Sequence, residues 1–250
     1  MGLAIVAAIL IGLTLGLLGS GGAIIALPSF IYILEFSEKQ AVVASLVVVA
    51  VISLLNSIQR ICQRNLQVKA TLWFLIPGVG GSYLGAFLGS LAEPRLQVLV
   101  FVILMLTAAF KLLLKPDAKS CGSQFATHWV VLTGIFVGIA TGFVGVGGGF
   151  LIVPALILIL KFDVKQAISS SVFVILFQAI SAILGYKLNS PELFNSIDWA
   201  AVSIVAVIGT VGSFAGSVLG KKLDTGLTTK LFGSFLIMIS LAISISQFVA

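Results

Sequence analysis

Two short stretches of this chain carry residue types and spacings that could do chemistry. Gly19-Ser20-Gly21-Gly22-Ala23 is followed by Pro28, and Gly145-Val146-Gly147-Gly148-Gly149 by Pro154, the proline falling five residues further on in each case. Each stretch ends an apolar run. Glycine permits backbone angles and close approaches that other residues forbid. Proline is tolerated in the first turn of a helix, where free N–H groups are normal. A helix restarting there points unpaired N–H groups and the positive end of its dipole into the gap, which suits an anion. Close helix packing is the plainer use of such glycines. Recurrence of the break at matching places favours the anion.

Four further residues could join such a site. Ser45 and Ser171 fall about a turn inside the apolar runs that follow the breaks, where a hydroxyl could add to the backbone donors. Asn56 and Gln178 are the most polar residues well inside predicted spans and could line a cavity. For all four the alternative is an interhelical hydrogen bond, worth about 0.6–2 kcal/mol. No predicted span centre carries Asp, Glu, Lys, Arg or His, the residues that intramembrane proton relays need. No coupling ion can therefore be named. Nothing resembles a nucleotide loop, a metal cluster or a catalytic triad, so neither an enzyme nor a metal or other cofactor is expected.

Composition says what kind of protein must position these residues. Of 250 residues 60% are hydrophobic and 9% charged, and the mean hydropathy is +1.24. Ordinary soluble domains are about 25% charged. With 14 basic and 8 acidic side chains, the chain cannot cover a water-facing surface. A soluble enzyme, a disordered chain and a disulfide scaffold are excluded, and a polytopic membrane protein remains. The net charge of +6 comes without any basic tract interleaved with aromatics, so no nucleic-acid partner is expected. No Lys or Arg precedes residue 39, so the N-terminus lacks the basic region of a signal peptide and reads as mature structure.

The sequence repeats itself. At an offset of 126, Gly16, Gly19, Gly21, Gly22 and Pro28 align with Gly142, Gly145, Gly147, Gly148 and Pro154. Phe36, Lys39, Gln40, Ala41 and Ser45 then meet Phe162, Lys165, Gln166, Ala167 and Ser171. After a five-residue insertion the offset becomes 131, and Gly78, Gly81, Ser82, Gly85 and Gly89 meet Gly209, Gly212, Ser213, Gly216 and Gly220. The reading is a membrane repeat over 1–119 and a second over 127–250, together forming a single transport unit.

Apolar runs give the elements. Copy one has runs near 3–18, 23–34, 41–58, 71–91 and 95–114; copy two has 129–143, 150–160, 167–185, 199–219 and 226–249. The long ones suit a hydrocarbon core about 30 Å thick, and the short ones beside the glycine breaks suit re-entrant segments. A polar linker, Lys115–Thr127 with Pro116, Asp117 and Ser120, separates the copies. The glycine ladders Gly81/Gly85/Gly89, Gly134/Gly138/Gly142 and Gly212/Gly216/Gly220 read as close helix packing. Glu93-Pro94 and Asp224-Thr225 read as helix starts. Trp73, Trp129 and Trp199 read as interfacial, with His128 beside Trp129.

Charge sets the topology. If each broken pair returns to its starting side, Arg60, Arg64, Lys69, Lys111, Lys115, Lys119, Lys161, Lys165, Lys221, Lys222 and Lys230 share one side, with Lys39, Arg95 and Lys187 on the other. That 11-to-3 division marks the first side as cytoplasmic. Each copy then has an odd number of crossings, so the second copy is inverted and both termini lie outside the cytoplasm. Cys62 and Cys121 fall on the reducing side, so free thiols are expected. Inverted repeats with paired broken helices are the pattern of secondary transporters.

The paired Gly-x-Gly-Gly…Pro segments, each followed by Lys-Gln-Ala and a serine, resemble the sulfite exporter TauE/SafE family over nearly the whole chain. The resemblance implies a permease for sulfur-containing or organic anions such as sulfite, sulfoacetate or thiosulfate. Copy one departs from the pattern at Ser20 and Ala23, where copy two has Val146 and Gly149. The expectation is therefore an all-α, polytopic protein of the cytoplasmic membrane, built from two inverted-topology repeats with broken or re-entrant helices. Its substrate site would comprise Gly19, Ser20, Gly21, Gly22, Ala23, Ser45, Asn56, Gly145, Gly147, Gly148, Gly149, Ser171 and Gln178, with the breaks meeting near mid-membrane. Its partners are a small anionic substrate and the lipid bilayer, and a homo-oligomer is compatible with both. A channel for another small ion or metabolite, or a non-transporting membrane scaffold, are the alternatives.

Overall fold

The computed structural model describes residues 2–19, 21–61, 68–114, 127–146, 149–222 and 225–249. Among them are eleven helices and no strand: α1 Gly2–Leu18, α2 Gly21–Tyr32, α3 Glu38–Ile61, α4 Val68–Leu91, α5 Pro94–Leu114, α6 Thr127–Val144, α7 Gly149–Leu158, α8 Val164–Asn189, α9 Pro191–Asn195, α10 Trp199–Lys222 and α11 Thr225–Val249. Six of these, α3, α4, α5, α6, α8 and α10, are long and apolar enough to cross a membrane. The chain is an all-α, polytopic assembly. The short helix α9, which the apolar pattern does not announce, occupies the region of the five-residue insertion in copy two. Cys62, Arg64, Asp224 and the linker from Lys115 to Ala126, with Lys119 and Cys121, lie outside the described residues.

The glycine ladders dictate which helices touch. On α1, a Cβ at Gly12 would strike the backbone of Gly209 on α10, and one at Gly16 the backbone of Ser213. On α6, a Cβ at Gly138 would strike the backbone of Gly78 on α4, and one at Gly142 that of Ser82. The two pairs correspond residue for residue at the sequence offsets of 126 and 131. Backbone-to-backbone contact of this kind is how helices associate where no hydrophobic effect drives them together.

Contact order along each pair gives the helix directions. Gly209 packs on Ile52, while Ser213 and Ser217 bond Asn56 and Gln59, so α10 runs parallel to α3 as well as to α1. Ser82 bonds the Gln178 carbonyl and Gly89 lies against Tyr186, so α4 runs parallel to α8 as well as to α6. The helices α3 and α8 are antiparallel: Gln40, near the start of α3, bonds Ser196 beyond the end of α8, while Arg60 near the end of α3 bonds Ser169 near the start of α8. Thus α1, α3 and α10 run one way, and α6, α8 and α4 the other.

Local backbone chemistry recurs at the same offset. Gly19 and Gly145 both adopt φ +71°, and Glu35 and Lys161 adopt φ 55° and 51°. After α2 the Phe36 N–H donates to the Phe30 carbonyl, and after α7 the Phe162 N–H donates to the Leu156 carbonyl, each bond spanning a left-handed residue in a Schellman-type stop. Pro28 and Pro154 lie deeper than the first turn expected for them, because α2 and α7 already begin at Gly21 and Gly149. Each proline removes the bond that the carbonyl four residues earlier, at Ile24 or Phe150, would otherwise accept.

The centre of the molecule is the α3–α8 pair, the most buried of the six long helices. Large apolar side chains such as Leu99, Phe110, Phe136, Val207 and Val211 point outward from α5, α6 and α10, as a lipid-facing surface requires. Trp73, Trp129 and Trp199 are all exposed, and Trp199 Nε1 donates to the Phe194 carbonyl.

Replacing Gly138 with leucine forces a side chain into the Gly78 backbone, and overpacking of this kind costs about 1–3 kcal/mol. Gly80, which has nothing within 4 Å of its Cβ position, accepts leucine freely. Thermal unfolding of purified Gly138→Leu and Gly80→Leu should therefore show a lowered Tm for the first and an unchanged one for the second.

Candidate functional site

The breaks are built by the same stop signal twice. Gly19 ends α1 in the left-handed region, with its N–H on the Leu15 carbonyl at 2.8 Å; Gly145 ends α6 with its N–H on the Thr141 carbonyl at 2.9 Å. An L-residue in that conformation costs about 1–2 kcal/mol, which is why glycine stands there. The next helices start within a few residues, at Gly21 and Gly149. Ser20, Gly147 and Gly148 lie outside the described residues. Gly22 packs its Cα against Ile11 and Leu15, and Ala23 and Gly149 are buried.

The serines reach across to the opposite copy. Ser45 Oγ on α3 donates to the Gly145 carbonyl at 2.8 Å, and Ser171 Oγ on α8 donates to the Gly19 carbonyl at 3.3 Å. Each hydroxyl also faces a carbonyl three residues back in its own helix, Val42 at 2.9 Å and Ile168 at 3.0 Å. One proton is shared between two acceptors, an arrangement common near helix ends. The serine protons are thus turned toward carbonyls. They hold the acceptor side of each break, while the first N–H groups of α2 and α7 remain the donors without intrahelical partners.

The breaks do not meet. Ser45 is level with the second break, and Arg60, which donates from Nη2 to the Gly16 carbonyl at 3.0 Å, is level with the first. Fifteen residues of helix separate them, about 22 Å at the usual rise. On α8 the same interval separates Ser171 from Tyr186, whose hydroxyl donates to the Phe143 carbonyl beside the second break. The length of α1 explains this. Its 17 residues carry the chain about 25 Å, most of the way across a hydrocarbon core, before the break occurs. Halfway between the breaks lie Ile52 and Gln178.

Gln178 and Asn56 are both fully buried. Among the described residues Gln178 has a partner for neither its amide nitrogen nor its amide oxygen, and the nitrogen lies where a side chain on Gly78 would sit. Asn56 accepts from Ser213 Oγ at 3.3 Å through Oδ1, while its Nδ2 has no partner among the described residues. Both side chains therefore retain hydrogen-bonding capacity in the interior, between the levels of the two breaks.

Sequence reasoning missed Arg60. It read there as a topology marker, but the side chain turns inward, onto Gly16 of α1 and, from Nη1, Ser169 Oγ of α8 at 3.3 Å. The available signal was a polar stripe, Ser53, Asn56, Ser57 and Arg60, at the i, i+3, i+4, i+7 spacing that puts side chains on one helical face. At the other break the equivalent position holds Tyr186, and the two N–H donors of Gln97 Nε2 are shared among its hydroxyl at 2.9 Å, the Phe143 carbonyl at 2.7 Å and the Gly89 carbonyl at 3.0 Å. One break is closed by a cation and the other by neutral groups.

The Lys-Gln-Ala motif has a structural use in copy one. Gln40 Oε1 accepts the Ser37 N–H at 3.0 Å, the glutamine half of a capping box at the start of α3. Its Nε2 donates to the Ser196 carbonyl, Lys39 Nζ donates to the Ser90 carbonyl, and Ala41 and Ala167 are both fully buried.

The family model for sulfite exporter TauE/SafE matches residues 4–243. A probable membrane transporter protein of Xylella fastidiosa is 30% identical over 245 residues, covering 94% of this chain and 90% of that one. Probable membrane transporter proteins of Bacillus subtilis and Methanocaldococcus jannaschii are 23% and 26% identical, covering 90% and 89% of this chain and 89% and 87% of their own. No solved structure matches the chain.

Gly145→Ala introduces both a left-handed alanine and a contact with Val42, whose Cγ1 occupies the Cβ position. The double variant Gly145→Ala/Val42→Ala should recover the steric part of the loss and retain the backbone part of about 1–2 kcal/mol. Chemical unfolding midpoints of the two single variants and the double variant in detergent measure the division.

Proposed function

This chain is an integral, multi-pass membrane transporter of the sulfite exporter TauE/SafE family, and from that premise we propose that it moves a small sulfur-containing or organic anion by alternating access. Sulfite, sulfoacetate and thiosulfate are the substrates in view. The proposal has copies 1–119 and 127–250 as inverted-topology repeats of one transport unit in the cytoplasmic membrane, with both termini outside the cytoplasm. The opposed directions of α1 and α6, of α3 and α8, and of α10 and α4 support the inversion. The 11-to-3 division of basic residues supports the orientation.

The observation that carries the reading is the reciprocal closure of the breaks. Non-helical backbone at membrane depth is tolerated only inside protein or along a wet cavity. Here the carbonyl side of each break is held by a serine of the other copy. What each break then offers inward is N–H groups and a positive dipole end, which selects an anion over a cation. Glycines 19, 21 and 22 with Ala23 form one station. Gly145 and Gly149 form the other, to which Gly147 and Gly148 belong by their place in the sequence, and Asn56 and Gln178 supply polar contacts between them. The two stations lie about 22 Å apart, so the anion passes from one to the other beside the central α3–α8 pair as the copies rock. Ser20 belongs to the first station by its place in the sequence.

Purified protein in proteoliposomes preloaded with sulfite should take up labelled sulfite by saturable counterflow. A non-saturating, salt-dependent current would replace the carrier by a channel. Absence of flux for sulfite, thiosulfate, sulfonates and carboxylates alike, with no anion raising the Tm, would leave a scaffold.

A further inference from the structure

The interior polarity of this chain is one-sided in a way the repeat does not require. Eight buried side-chain atoms lack a hydrogen-bond partner among the described residues, and five of them are Ser53 Oγ, Asn56 Nδ2, Ser57 Oγ, Arg60 Nε and Ser170 Oγ. The four residues on α3 lie in its second half and share a face. Ser170 is near the start of α8, next to Ser169, which receives Arg60 Nη1. Because α3 and α8 are antiparallel, these two polar segments converge at the same end of the pair. At the offset of 126 the counterparts of Ser53, Asn56, Ser57, Ser169 and Ser170 are Ala179, Ala182, Ile183, Val43 and Ala44. Each is apolar. The far end of the pair has Tyr186 in place of Arg60, already bonded to Gln97 and Phe143.

We propose that Arg60, with Asn56, Ser57, Ser53 and Ser170, forms the binding site for a small oxyanion on the side of the molecule that holds most of its basic residues. The proposal rests on the transport reading above and adds to it an arginine-centred site beside the first break. Three points carry it. An arginine at a helix end ordinarily extends its head to water; this one is directed into the bundle. Among the described residues its guanidinium meets a carbonyl and a hydroxyl and no carboxylate, so no described residue compensates its charge, where compensation matters most. Every unpaired atom in the group can donate a proton, and a cluster of spare donors around a planar fork is the complement of sulfite, a sulfonate or a carboxylate. A guanidinium placed only to close α1 would need none of these extra donors.

The arrangement also separates this site from ordinary helix capping by experiment. The Ser57 and Ser170 hydroxyls have no hydrogen-bond partner among the described residues, so Ser57→Ala and Ser170→Ala should keep or raise the Tm, whereas loss of a structural contact would lower it. The same variants should weaken sulfite binding several-fold in thermal titrations of the purified full-length protein. Arg60→Gln, which can still donate to the Gly16 carbonyl, should weaken sulfite and methanesulfonate at least about tenfold, and Arg60→Lys less. Arg95→Gln removes the same charge from an exposed position at the other end and should leave the affinity unchanged. Equal affinity in wild type, Arg60→Gln and both serine variants overturns this site while leaving the transport reading intact. A lowered ligand-free Tm for both serine variants, with unaltered affinity, assigns the group to structure. Wild type that binds none of the anions takes both readings down.

Discussion

Every helix that stops inside an apolar medium must have its carbonyl end satisfied by protein, since neither lipid nor bulk water can do so. This chain stops two helices in that way, and much of its architecture follows from the need to close them. A left-handed glycine turns the chain, and a serine from the other copy takes the exposed carbonyl. For each serine to reach its target, α3 and α8 must lie beside the opposite breaks. That places them together at the centre, antiparallel, with the remaining long helices ranged around them. The glycine ladders then let α1 settle on α10 and α6 on α4 at backbone contact, which fixes the depth of each break.

The elements were legible because apolar run and polar boundary coincide closely in a membrane protein: runs expected at 71–91 and 95–114 are helices over Val68–Leu91 and Pro94–Leu114. The short α9 was not, since five residues in a polar insertion show no period. The prolines were placed in a first turn on the rule that their missing N–H is harmless there, whereas the helices start earlier, at the glycines. The breaks were expected at one point because short segments suggest half-spans. With 17 residues α1 is longer than half a span, and only its register against α10 shows how far it penetrates.

Of the site, the residue types were readable and their directions were not. A hydroxyl near a break can face an anion or a carbonyl, and the sequence does not say which; Ser45 and Ser171 face carbonyls. Arg60 shows the converse. Basic residues near span ends usually report orientation, and only the packing of α3 against α1 and α8 turns this one inward. What the two copies share is closure of the backbone. Where they differ, in arginine against tyrosine and serines against alanine, isoleucine and valine, the shared frame has been given a polar end and an apolar one.

The bond from Ser171 to Gly19 joins residues 152 apart, and that from Ser45 to Gly145 joins residues 100 apart. Neither half can therefore complete its own turn. During synthesis the Gly19 carbonyl lacks this partner until α8 has been made. Completion of each turn is therefore a property of the whole chain and not of either copy.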